Sequence, residues 1–151
     1  MSSIREQIAQ AVVDLLSAPG GPGGVSVHRE RTRPIESDKM PAILVYFEDD
    51  EPTPLAKVRF QAPLTERHLN LVLELRAIPD AVSAPDQAID PLYLWVIAQL
   101  VVNERLGGLA MGITEGPMKW TTKEADRIFA GAALHLIVHY RTSRLDPSSQ
   151  T

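Results

Sequence analysis

The chain has 151 residues, 44% of them hydrophobic and 23% charged, with a formal net charge of −4 and no cysteine. That size and balance predict one soluble globular domain with room for a real core. They argue against a tight nonspecific nucleic-acid binder, which needs a net basic face, and they exclude disulfides and thiolate metal sites.

The opening "MSSIREQIAQ" carries charges of both signs and lacks an apolar centre, so it does not read as a signal peptide. The longest apolar run, "LYLWVIAQLVV", is about half a membrane span. A soluble, intracellular product is expected. The domain is expected over residues 1–142, with a flexible polar tail over 143–151.

Ser3 to Glu6 has capping-box spacing, and Ile4, Ile8, Ala11, Val12 and Leu15 follow a helical period. A first helix of about three to four turns is predicted. It stops at "SAPGGPGG", a flexible connector rather than a phosphate loop, since no Lys-Ser/Thr follows the glycines.

"VSVHRERTRPI" and "PAILVYFEDDEP" read as neighbouring strands, joined by "PIESDKMP" with Pro34 and Pro41 breaking the pairing. Residues 50–63 read as a long loop or hairpin arm. "ERHLNLVLELRAI" alternates Leu69, Leu71, Leu73 and Leu75 with His68, Asn70, Val72 and Glu74, a strand with one buried face.

Asp90-Pro91 predicts the start of a second helix, with Asp90 as N-cap and Gly107-Gly108 as its end. Apolar on nearly all sides, that helix should lie deep against a sheet. A short strand near Ala110 to Ile113, a loop, a single turn over 121–124 and a last strand in "RIFAGAALHLIVHYRT" complete the chain. The fold class expected is α+β: a mainly antiparallel or mixed sheet of four to five strands, two helices on one face, and a long hairpin or loop arm.

His135 and His139 stand four apart in the last strand. That places them on one face but about 13 Å apart at roughly 3.3 Å per residue. Zinc needs both ring nitrogens about 2 Å from one ion, so polar-face residues are the expected reading and a metal role the competing one. His28 and His68 could add ligands from neighbouring strands. No Gly-x-Ser-x-Gly or His-Glu-x-x-His occurs, so no hydrolase motif supports an enzyme. The acids Asp49, Asp50 and Glu51 could hold a hard cation, but such a run usually ends a strand as a solvated turn.

Charge patterning says more. Arg29, Arg31 and Arg33 alternate along one segment, and Glu48, Asp49, Asp50 and Glu51 leave the next. They can pair within the chain, each ion pair then worth about 0–1 kcal/mol. They can instead form a head-to-tail contact between copies, which closes into a ring when the rotation allows.

Taken in order, the segments "IREQIAQAVVDLL", "RPIESDKMPAILVYFEDDE", "RHLNLVLELRAI", "DPLYLWVIAQLVVNERL" and "DRIFAGAALHLIVHYRT" resemble the tail terminator (minor tail, or tail completion) proteins of long-tailed bacteriophages. The resemblance covers residues 4–142 and rests on the ordered pattern, with no diagnostic motif. It implies a non-enzymatic virion protein of α+β fold with no catalytic residues and no cofactor. Such a protein forms a hexameric ring, sometimes monomeric in isolation, at the head-proximal end of the tail. It assembles in the host cytoplasm, from a phage or a prophage.

The partners implied are further copies of itself, the tail tube protein, the tape-measure protein and the head–neck connector protein, with no sequence-specific nucleic acid and no membrane. The interface candidates Arg29, Arg31, Arg33, Glu48, Asp49, Asp50 and Glu51 are chosen by charge and position. A head–neck connector ring of the same virion is the alternative, and a small metal- or ligand-binding protein built on the four histidines a third reading.

Overall fold

The computed structural model describes residues 2–29, 41–53, 64–78, 85–121, 130–143 and 146–150. Helix α1 (Ile4–Leu16) begins where Ser3 predicts, the Ser3 hydroxyl accepting from the Glu6 N–H at 3.2 Å. Ile4, Ile8, Val12 and Leu16 form its buried line at successive four-residue steps. After a 3-10 turn at Pro22–Gly24 come strands β1 (Ser26–Arg29), β2 (Ala42–Thr53) and β3 (Leu64–Ala77). Helix α2 (Pro85–Val102) and strands β4 (Gly112–Thr121) and β5 (Ala130–Ser143) follow.

The five strands form one sheet in the order β1-β2-β3-β5-β4. Only β1 and β2 pair in parallel, Ser26 opposite Ala42; the other neighbours are antiparallel. This is the α+β architecture that the element order predicts. On the inner face, Ile43, Val45, Leu69, Leu71, Leu73, Leu75, Leu134, Leu136 and Val138 join the buried lines of both helices in one core. No described helix packs on the outer face, where alternation places His68, Asn70, Glu74, His135 and His139.

Several expectations are corrected. Helix α2 begins at Pro85 and not at Asp90, so Pro91 lies inside it. Pro85 itself supplies the favoured first position, and Pro91 omits one intrahelical donor without ending the helix. As expected, α2 packs against the sheet, but with one side only. It buries Ile89, Leu92, Val96 and Leu100 and leaves Leu94, Val101 and Val102 59, 68 and 82% exposed. Its last residue, Val102, is five positions before Gly107, and just beyond it both the backbone N–H and the side-chain amide of Asn103 donate to the Gln99 carbonyl, at 3.2 and 2.8 Å.

Strand β4 is also longer than the short run expected, ten residues including Pro117. The proline is accommodated because β4 is an edge strand and because Gly116 and Pro117 together oppose His135 in a bulge. A Cβ on Gly116 would sit 3.0 Å from the His135 carbonyl oxygen, which accounts for glycine there. The turn expected over 121–124 falls mostly outside the described residues, and Thr121 itself ends β4.

Hydrogen bonds join the described residues 146–150 to the rest of the chain. The Ile4 N–H donates to the Pro147 carbonyl at 2.9 Å, the Ser143 N–H to the Ser149 carbonyl at 2.7 Å, and the Gln150 amide to the Leu109 carbonyl at 2.7 Å. Donation from Ser148, side chain first and then backbone, holds the Asp146 carboxyl below its ordinary range.

Candidate functional site

The acid-rich end of β2 is organised by one extra residue. Phe47 pairs with Leu71 and Asp49 with Asn70, so Glu48 has no partner of its own. This bulge shifts the alternation by one. Asp50, opposite Leu69, therefore points to the inner face, while Asp49 and Glu51 share the outer face. Strand β2 continues to Thr53, opposite Glu66, so the first part of the expected arm is paired hairpin; residues 54–63 lie outside the described residues.

Asp50 is not a solvated acid. Its side chain is 5% exposed and takes Arg5 of α1 at 3.3 Å and Arg67 of β3 at 3.7 Å. The Tyr140 hydroxyl of β5 donates to the same oxygen at 2.5 Å, and Arg67 Nε donates to Thr142 Oγ1 at 3.1 Å. Burial first, and the bond to Asp50 second, push the Tyr140 hydroxyl well above the ordinary tyrosine range. Folding thus favours the neutral phenol. Its contribution is complete below about pH 10, the unfolded tyrosine value, and is lost as pH rises beyond that. In alkaline titrations of urea stability, Tyr140→Phe should decline less steeply than the parent chain.

The outer face receives the other acids. Glu48 Oε2 lies 2.9 Å from His135 Nδ1, and Asp49 accepts from the Asn70 amide. Glu51 is exposed opposite His68. His68 and His139 are cross-strand partners in edge-on contact, ring centroids 4.6 Å apart, and His139 Nε2 lies 3.0 Å from Thr114 Oγ1. His28 bonds to Ser26 within β1, Nε2 to Oγ at 3.0 Å. The register thus sets all four histidines on one face but joins only two of them. Among the described residues, no group of three or more acids and histidines is placed to hold a metal ion.

Arg29 lies on the inner face, beside α1. It pairs with Glu6 at 3.4 Å and stacks over Phe47 at 4.9 Å, with Arg5 over the same ring at 5.9 Å. Arg31 and Arg33 lie outside the described residues. Among the described residues, Arg29 forms no ion pair with the β2 acids; α1 and β3 supply partners for Arg29 and Asp50.

A further surface lies at the other edge of the sheet. Ile97 and Val101 of α2, Ile113 of β4 and Leu136 of β5 line an open groove of about 80 Å³, with Glu104 and Glu115 at its rim. That is several times the roughly 10–15 Å³ one water needs. Tyr93 donates to Glu115, and this bond, followed by burial, raises the Tyr93 hydroxyl above its usual value. The uncharged stretch 91–103 is the sequence signal for this surface. It reads as a helix apolar on nearly all sides lying deep against a sheet, and one side of it meets the sheet.

Among the described residues no helix is long and apolar enough to cross a membrane. No protein-family model matches the chain, and no curated protein matches it significantly.

Proposed function

We propose that this chain is a structural virion protein of a long-tailed bacteriophage or prophage, which caps the tail tube as a ring, ends its growth and presents the surface for head joining. The whole-chain resemblance suggests the family, and one feature of the fold carries the mechanism. Helix α2 has no charge from Pro91 to Asn103, yet only one side of it covers the core. A helix apolar on both sides calls for a second cover, and an exposed apolar face of this kind is a contact surface. The protein then works by shape and self-association. The formal charge of −4 suits a ring through which DNA passes, since negative walls repel phosphate.

Electron microscopy of the purified protein mixed with tail tubes should show it seated at one tube end. Light scattering at rising concentration should show association. A chain that stays monomeric at millimolar concentration and never binds tubes would refute the reading. Deleting the gene separates the two virion roles: overlong or unjoined tails mark a terminator, and unstable DNA-filled heads mark a head–neck connector.

A further inference from the structure

We infer that copies of this chain meet head to tail, the acidic groove between α2 and β4 of one copy taking the arginine-bearing α1/β1 edge of the next. The inference rests on the assembly reading above and specifies its contact. Strands β1 and β4 are the two edges of the sheet, so the surfaces lie at opposite ends of the molecule. A contact between unlike surfaces at opposite ends propagates from copy to copy, and closes into a ring when the rotation between copies allows.

The two ends present exposed groups of opposite sign, carboxylates at one and guanidinium groups already paired within the chain at the other, and both are partly apolar. At the β4 end, Glu104 and Glu115 rim an aliphatic groove flanked by the exposed Val101 and Val102. Among the described residues neither carboxylate has a cation within ion-pair distance. At the β1 end, Arg5 and Arg29 hold their guanidinium groups over Phe47, with side chains 45 and 35% exposed. A guanidinium carries five N–H donors, so Arg5, which gives one nitrogen to Asp50, keeps donors for a second carboxylate, while Nη1 of Arg29 is buried without a partner.

The alternatives fit less well. A symmetric contact of α2 with α2 would bring like carboxylates together. Strand addition at the β4 edge is blunted by Pro117 and its bulge, so contact there must use side chains. The acidic end of β2 has its Glu48, Asp49 and Asp50 engaged within the chain.

Because the chain has no cysteine, two substitutions give unique cross-linking handles. Val102 is 82% exposed beside the groove, and Gln10 is exposed on α1, one turn beyond Glu6. The full-length Gln10→Cys/Val102→Cys chain is treated with a short bismaleimide where association is seen, in solution or on tail tubes. A ladder of covalent species beyond the dimer is expected, with each single-cysteine chain giving at most a trace of dimer. Adding Glu104→Lys and Glu115→Lys, both exposed positions, should cut the ladder at least tenfold with the fold retained by circular dichroism.

Efficient dimer from Val102→Cys alone, or a ladder indifferent to the two lysines, overturns the contact. Assemblies of the right mass without a ladder also overturn it and leave the assembly reading standing. No assembly by mass measurement, alone or with tubes, defeats both.

Discussion

Asp50→Ala is expected to lower unfolding free energy by about 2–3 kcal/mol, read as a lower urea midpoint at unchanged slope. Removing one partner of a fully buried ion pair costs roughly 3–5 kcal/mol. The lower figure applies here because Arg5 and Arg67 keep 45 and 23% of their side chains exposed and can rehydrate. What cannot rehydrate is the hydroxyl of Tyr140, a residue only 1% exposed, which loses its acceptor. Asp50→Asn should cost less, since an amide oxygen still accepts from the phenol. Glu51→Ala, two-state and at an exposed position, should stay within about 0.5 kcal/mol. Equal effects at Asp50 and Glu51 would show that the bulge does not separate them.

Leu71→Ala should cost about 3–4 kcal/mol in the same measurement. Leu71 is fully buried at the middle of the central strand, between Phe47 on β2 and Leu136 on β5. Truncation removes its transfer free energy and leaves a cavity that paired strands on both sides cannot close. Leu94→Ala removes the same atoms from a position 59% exposed and should change stability by no more than about 0.5 kcal/mol. The contrast tests whether α2 has one working side in the isolated chain. A large loss at Leu94 would mean that its outer stripe is already covered within the monomer.

The sequence is readable wherever one period dominates. Leu69 to Leu75 alternate without interruption, and the strand and its buried face follow from that alone, whereas its place in the sheet centre comes from the pairing with β2 and β5. Ser3 and the line from Ile4 to Val12 likewise locate α1. Legibility fails where a single residue changes phase. Strict counting after Phe47 turns Asp49 inward and Asp50 outward, and only the bulge at Glu48, a tertiary feature, reverses them. The Asp50–Tyr140 contact joins residues 90 apart, and no local pattern announces it.

The helix starting at Pro85 is missed for a different reason. Asp90-Pro91 carries a better local start signal than the true one, and an interior proline is the less common use of that residue. At β4, Gly116-Pro117 reads as a loop because the residues that break a central strand are tolerated at an edge. The histidine face was legible as a face, but which imidazoles touch depended on cross-strand register. His68 opposite His139 cannot be inferred from either strand separately.

The bonds from Ile4 to Pro147 and from Ser143 to Ser149 hold the start of the first helix against the closing residues of the chain. Ile4 and Pro147, distant in sequence, are thus adjacent in space. Joining the chain near Ile4 covalently to the chain near Pro147 would close a true circle around the domain. Such a cyclised molecule would unfold into fewer conformations and so resist denaturation more strongly than the linear one.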